Sequence, residues 1–338
     1  MPGSRSDRPR IRARVEDFEV EEIPLERPEG DGEHLYLWLE KRGLTTTAVA
    51  RALAERAGVD SGEVGFAGRK DRWAVTRQWF SVPRWPVERA AELASALASG
   101  PASELATPGV EILDAVRGRR RLRLGELAGN RFRLRVRGLS PELLAAALAA
   151  FETLARRGFA NAFGRQRFGS RGDNVDRGLG VLAGDDRTGG RRRRAFLISA
   201  VQAEVFNRVL ARRPVGWDEL MTGDLAVAHG SGRLVAVADP AELAPRLERF
   251  AVSATGPIFG AKMPRAGGAV AELEAAVLAE LGVGDAEALP AVRELRVAGE
   301  RRSLRARVRR ASAEAEGCDL LLSFDLPPGS YATVLLDH

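Results

Sequence analysis

Cysteine is almost absent from the chain: Cys318 stands alone. No internal disulfide can form, and no zinc site can rest on several thiolates. Histidine is nearly as scarce, with three residues, which leaves few ligands for a metal cluster. Lysine occurs only at Lys41, Lys70 and Lys262, so the basic total of 52 is almost entirely arginine. There is neither a Gly-x-x-x-x-Gly-Lys phosphate loop nor a dinucleotide glycine fingerprint, which argues against nucleotide hydrolysis and hydride transfer. No apolar run approaches the roughly eighteen residues of a membrane span. The opening MPGSRSDRPR lacks the apolar centre of a signal peptide, so the expected location is the cytoplasm, with no membrane attachment.

What is present points to an acidic partner. The 338 residues carry a formal net charge of +6 and a pI near 10.2, a balance that suits nucleic acid. Arginine supplies forks for phosphate and planes for base stacking. The length exceeds that of an ordinary single domain, so two are expected.

Period-two alternation marks strands over Ile11–Ile23 and Glu33–Glu40. Thr45 to Thr47 then offer a hydroxyl cap to a helix that Gly58 closes. Short strands are expected at Glu63–Ala67 and Thr76–Val82, so this part reads as an α/β unit. A helix is expected after Pro86, broken by the Ala-, Pro- and Ser-rich stretch Ser99–Pro108. Arg131, Arg133, Arg135 and Arg137 alternate with Phe132, Leu134 and Val136, and Arg121 and Arg123 alternate with Leu122 and Leu124. With Gly129-Asn130 between them, the two runs predict a hairpin with one cationic face. A helix follows from Ser140 to Gly158, and the charged DDRTGGRRRR at 185–194 reads as a crossing between domains. Helices over Ala195–Arg213 and Ala269–Leu281 and strands over Ser303–Arg310 and Cys318–Leu326 complete the pattern. The last strand is expected to rejoin the first domain.

The chemistry concentrates in GFAGRKDRWAVTRQWFSV, residues 65–82. An apolar strand runs into a glycine, and a loop presents Asp71 between Lys70 and Arg72. Spacing alone fits a solvated charge cluster. The functional reading is a carboxylate kept ionised by its cations, ready to attack an electron-poor carbon.

The string Ala67, Gly68, Lys70, Asp71, Ala74, Val75, Thr76 and Gln78 resembles the signature around the nucleophilic aspartate of TruD-type pseudouridine synthases. DFEVEE at Asp17–Glu22, GEHLYLWLEKRG at Gly32–Gly43, NAFGRQRFG at Asn161–Gly169, SAVQAEVFN at Ser199–Asn207 and LPPGSYAT at Leu326–Thr333 are similar to that family's blocks in the same order.

The resemblance implies an α/β (α+β) catalytic domain with a mixed or antiparallel sheet over residues 1–186 and 306–338. Residues 187–305 would form an inserted α/β domain. It implies a tRNA-modifying isomerase that converts uridine thirteen of the D arm to pseudouridine, with Asp71 as the attacking group. Asn161, Phe163, Phe18 and Tyr331 match positions that line the uridine pocket, Arg12 matches a basic partner of the aspartate, and Lys70 lies beside it in the signature. No cofactor and no metal are implied, and a monomer is expected. Two other readings remain at this point. One is an RNA-binding protein on the same fold without the chemistry, and the other is a metal-dependent nuclease using Asp71, Asp173 and Asp176.

Overall fold

The computed structural model describes residues 10–90, 92, 109–169, 171–186 and 188–338. By internal contacts the chain divides into two units, Met1–Glu152 with Val308–Pro328, and Thr153–Arg307 with Gly329–His338.

The first unit is built on one mixed sheet. Its early strands are β1 (Arg10–Ile11), β2 (Phe18–Pro24), β3 (His34–Arg42), β4 (Gly65–Phe66), β5 (Val75–Pro83), β6 (Val110–Gly118) and β7 (Leu127–Arg137). The chain returns late to add β14 (Arg309–Glu316) and β15 (Asp319–Leu326). The order is β14-β15-β7-β2-β5-β3-β6, with β1 also on β7 and β4 on β5. Only β2 against β5 is parallel, with Glu19 opposite Val75. The return of β15 beside β7, Phe324 opposite Phe132, is the expected rejoining.

Alternation in β3 sends Leu35, Leu37 and Leu39 into a core with Val49 and Leu53 of helix α1 (Thr46–Ala57). The helix starts where Thr45 Oγ1 accepts from Ala48 N at 3.1 Å and stops at Gly58, whose φ of 65° is left-handed. The long strand expected over 11–23 is instead two, because Arg12 turns the chain at a φ of 62°. Helix α2 (Pro141–Arg157) follows the sheet. The helix expected after Pro86 begins as a turn at Val87–Arg89, and its remainder, with the break at Ser99–Pro108, lies outside the described residues.

β7 departs from the expected hairpin. Residues 121–124 form no strand, and Gly129 and Asn130 sit inside β7 rather than at a turn. Glycine is needed at 129 for close approach: a Cβ there would lie 2.5 Å from the Leu326 carbonyl oxygen. The arginine face is also not a bare cationic surface. Arg131 pairs with Asp325 at 2.9 Å, Arg135 with Asp319 at 3.1 Å and Arg137 with Asp17 at 2.6 Å. Hydrogen bonding to Arg137 holds the Asp17 carboxyl below its ordinary range.

The second unit has an antiparallel sheet in the order β10 (Leu234–Ala236), β9 (Leu225–Ala228), β11 (Val252–Ile258) and β12 (Glu300–Ser303). A short pair joins β8 (Phe159–Ala160) to β13 (Arg305–Ala306). Helices α3 (Asn174–Ala183), α4 (Arg191–Arg212), α5 (Pro240–Glu248), α6 (Gly268–Glu280), α7 (Pro290–Leu295) and α8 (Ala332–Leu336) complete it. Ile198, Val201 and Val205 of α4 share a core with Val277 and Val292.

Residues 187–305, read as an insertion, fall inside this unit, which begins earlier and includes the segment from Gly329. Two packings draw the earlier residues in. β8 pairs with β13, and α3 lies so close to α4 that a Cβ at Gly178 would stand 2.4 Å from the Leu197 carbonyl oxygen.

The arginine runs of this unit are partly interior. Arg191–Arg194 open α4 rather than link domains, with Arg194 2.7 Å from Glu294. Arg301 pairs with buried Glu274 at 2.7 Å, and buried Arg305 donates to Ser253 Oγ at 2.8 Å.

Candidate active site

The loop between β4 and β5 presents Asp71, and buried polar groups fix its path. Gln78, fully buried in β5, donates through Nε2 to the Gly68 carbonyl at 2.8 Å and accepts from Thr46 Oγ1 at 2.8 Å. The same Thr46 oxygen accepts from the backbone N of Lys70 at 2.9 Å. Lys41, fully buried in β3, donates through Nζ to the carbonyls of Leu44 at 2.6 Å and Asp71 at 3.0 Å. Burial pushes the Lys41 ammonium down to about 8. Thus β3, β5 and the start of α1 all hold the loop that carries one carboxylate.

Arg12 donates from Nη2 to Asp71 Oδ2 at 2.7 Å, and its guanidinium lies over the Phe18 ring at 3.9 Å. Its left-handed backbone is costly for a side chain with a Cβ, and β1, paired with β7 through Ile11 and Val136, leads into it. The structure therefore brings Arg12, Phe18 and Asp71 together. Phe18 itself is buried, edge-on to Phe132 at 6.2 Å.

Lys70 does not join them. Its Nζ turns inward to Glu22 Oε2 at 3.0 Å and Asn130 Oδ1 at 2.7 Å. Burial pushes the Glu22 carboxyl up and the Lys70 ammonium down, and their mutual attraction opposes both shifts. Adjacency in the signature thus places the lysine backbone beside Asp71 and its charge elsewhere.

In the second unit, Asn161, Phe163 and Tyr331 form one cluster. Asn161 is buried, donating from Nδ2 to the Ser303 carbonyl at 3.0 Å and accepting at Oδ1 from Arg302 at 2.7 Å and Ser330 at 3.0 Å. One Nδ2 hydrogen remains without an acceptor among the described residues, which is what a base carbonyl would need. Phe163 is pinned through its backbone by Asn207, whose Oδ1 accepts from the Phe163 N at 2.8 Å and whose Nδ2 donates to its carbonyl at 3.0 Å. The ring meets Phe206 at 5.5 Å and Tyr331 at 6.3 Å, and Arg302 covers it at 4.2 Å.

Sequence reasoning did not single out Lys41, Glu22, Asn207 or Arg302. Asn207 and Glu22 were inside quoted blocks, but only tertiary contact reveals what they hold. Lys41 carried a weak signal, one of only three lysines in the chain, set at the charged end of a strand whose leucines alternate. Asp173 and Asp176 stand at the start of α3, where Asp173 faces Arg177 at 3.9 Å. Among the described residues no group of three His, Cys, Asp or Glu side chains is arranged to hold a metal ion, and no helix is long and apolar enough to cross a membrane.

Comparison with known proteins gives consistent findings. The family model of tRNA pseudouridine synthase D (TruD) matches residues 7–188 and 191–338. A protein of Geobacter metallireducens named tRNA pseudouridine synthase D is 38% identical, covering 96% of this chain and 93% of that one. One from Thermus thermophilus with the same name is 41% identical, over 96% and 87%. A crystal structure from Methanosarcina mazei, assigned to the same group, superposes with a TM-score of 0.72 at 24% identity, covering 96% of this chain and 92% of that one. That likeness is one of fold.

Proposed function

The chain belongs to the tRNA pseudouridine synthase D family, and from that premise we propose that it isomerises uridine thirteen in the D arm of tRNA, with Asp71 as the attacking carboxylate. Enzymes of this class are isomerases. The N1–C1′ bond of uridine breaks, the uracil turns, and a C5–C1′ bond forms; C5 loses a proton and N1 gains one. Electrons balance within the nucleotide, so the scheme needs no redox partner, and none of its steps calls for a cofactor or metal.

A stacked nucleotide must first be turned out before a carboxylate can reach its sugar. Asp71 acts at that sugar, and Arg12 holds Oδ2 so that the carboxylate meets the everted nucleotide in one orientation. A fixed geometry of this kind lowers the entropic part of the barrier. Phe18 sets the plane on which Arg12 rests. Asn161 donates its remaining amide hydrogen to a uracil carbonyl, and Phe163 and Tyr331 supply ring surface for the base. Lys70 serves the reaction as the buried anchor of the loop. The first unit is the catalytic domain and the second the family-specific domain. The enzyme works as a monomer in the cytoplasm.

The observation that supports this reading most is the Arg12–Asp71 pair at 2.7 Å on a loop whose backbone is tied down by Gln78, Thr46 and Lys41. A solvated charge cluster has no use for three buried side chains that hold its backbone. The test is to incubate the purified protein with unmodified tRNA and map pseudouridine chemically. Modification at uridine thirteen is expected; bound, unmodified tRNA would favour an RNA-binding protein without the chemistry, and cleaved tRNA a nuclease.

A further inference from the structure

Two arginines of the second unit have no carboxylate within ion-pair distance among the described residues, and both converge on one ring. The Arg302 guanidinium stands 4.2 Å from the Phe163 centroid and that of Arg167 5.6 Å from it. Arg302 is deeply set, and burial pushes it down to about 10. Its Nε and Nη2 donate to the Asn161 carbonyl at 3.2 and 3.1 Å, and Nη2 also to Asn161 Oδ1 at 2.7 Å and to the Gly329 carbonyl at 2.8 Å. These neutral acceptors fix the fork without neutralising it. Its other terminal nitrogen, Nη1, has no acceptor among the described residues.

Arg167 repeats the pattern. Its Nε is buried with no hydrogen-bond partner. The groups that act electrostatically to favour the charged form of Arg302 are the Tyr331 phenol and then Glu300, an exposed residue that makes no ion pair with it. Of the other sunken arginines, Arg301 has Glu274 and Arg213 has Asp224 at 2.7 Å, while Arg305 spends its fork on the neutral Ser253 Oγ and the carbonyls of Leu247 and Val252 and faces no exposed ring among the described residues that a nucleotide could use. A partly desolvated cation without a counter-ion is costly unless an anion arrives. Phe196, 44% exposed, lies 5.8 Å from the Arg167 guanidinium. A free ring beside a cation is what a nucleotide uses, base on the ring and phosphate on the guanidinium.

We propose that Arg302 and Arg167 form a phosphate site for the RNA backbone, with Phe196 as a stacking surface for an adjoining base. The inference rests on the reading of the protein as a tRNA-acting enzyme. It adds a second task for Arg302, which also orients Asn161. Removing the phosphate contact changes the number of counterions released on binding, whereas a residue that only orients Asn161 does not.

The test is the affinity of the full-length protein for unmodified tRNA over a series of KCl concentrations, for the parent, Arg302→Gln, Arg302→Lys, Arg167→Gln and Arg135→Gln. Arg302→Gln and Arg167→Gln are each expected to flatten the slope of log affinity against log salt by about 0.7 to 0.9 and to weaken binding roughly tenfold. Arg302→Lys, which keeps the charge, should keep the slope while slowing isomerisation, because a compact ammonium lacks the planar fork that spans the Asn161 and Gly329 acceptors. Arg135→Gln, which removes an arginine already paired with Glu316 and Asp319, should leave the slope unchanged. If Arg302→Gln fails to fold, Arg167→Gln decides alone. A parent that isomerises tRNA while the folded glutamine variants keep its slope overturns this inference only. A parent that binds no tRNA overturns it together with the function it rests on.

Discussion

Lys41 illustrates how a single residue can be both structural and tunable. Its ammonium is fully buried against two carbonyls, and its proton is held less tightly than the ordinary 10.5, at about 8. Between those two values the unfolded chain keeps the proton and the native chain has released it, so raising the pH favours the native state. The parent should therefore gain stability relative to Lys41→Met from about pH 8 upward, by at most roughly 3 kcal/mol. Urea unfolding at pH 7.5 and pH 10 would measure it, since methionine has no proton to lose. Identical pH dependence in both proteins would mean that Lys41 does not titrate in this range.

Local placement was legible in the sequence, as with Asp71 on a polar loop between two strands, and side-chain direction was not. Lys70 and Asp71 are neighbours in the chain, yet one side chain goes to Glu22 and the other to Arg12. Arg302 stands in an arginine-rich stretch whose pattern does not show direction, and only its contacts with Asn161 and Gly329 show where its side chain goes.

At the scale of elements, the loop that carries Asp71 is fastened to the sheet by a buried pair. Glu22 belongs to β2, Asn130 to β7, and Lys70 to the loop, so one ammonium joins three segments. Breaking a buried pair by removing one partner leaves a charge without compensation, and Glu22→Leu should cost about 3 to 5 kcal/mol. The double variant Glu22→Leu, Lys70→Met should recover most of that stability, because no charge remains to be desolvated. A double-mutant cycle by denaturant unfolding reads the coupling directly; additive losses would mean that the two groups are solvated and independent.

Elements set by local periodicity were readable in advance. α1 carries both its cap and its closing glycine in sequence, and β3 displays its buried leucines at period two. β7 was recognisable as a strand from the same alternation, but its neighbours were not. The Asp325 and Asp319 that neutralise its arginines come from β15, nearly two hundred positions later, and so does the carbonyl that requires Gly129. Local turn chemistry suggested a hairpin, and a distant strand decided otherwise.

For the whole molecule, the net charge of +6 does not translate into a uniformly cationic surface. Arginines on the first unit's sheet are largely matched by carboxylates, so the excess is concentrated elsewhere, and the unmatched pair beside Phe163 is part of it. Overall composition anticipated an acidic partner without indicating where it lies. The late strand that rejoins the first sheet was legible from its alternation. The start of the second unit was not, because the two-residue pairing of β8 with β13 leaves no periodic trace.

The central claim concerns Asp71, and the most direct test is single-turnover formation of pseudouridine in unmodified tRNA by the parent and by Asp71→Asn, with tRNA affinity measured on the same preparations. The expected result is isomerisation by the parent and none by the variant, with affinity retained. Pseudouridine formed by Asp71→Asn at the parent's rate would contradict it.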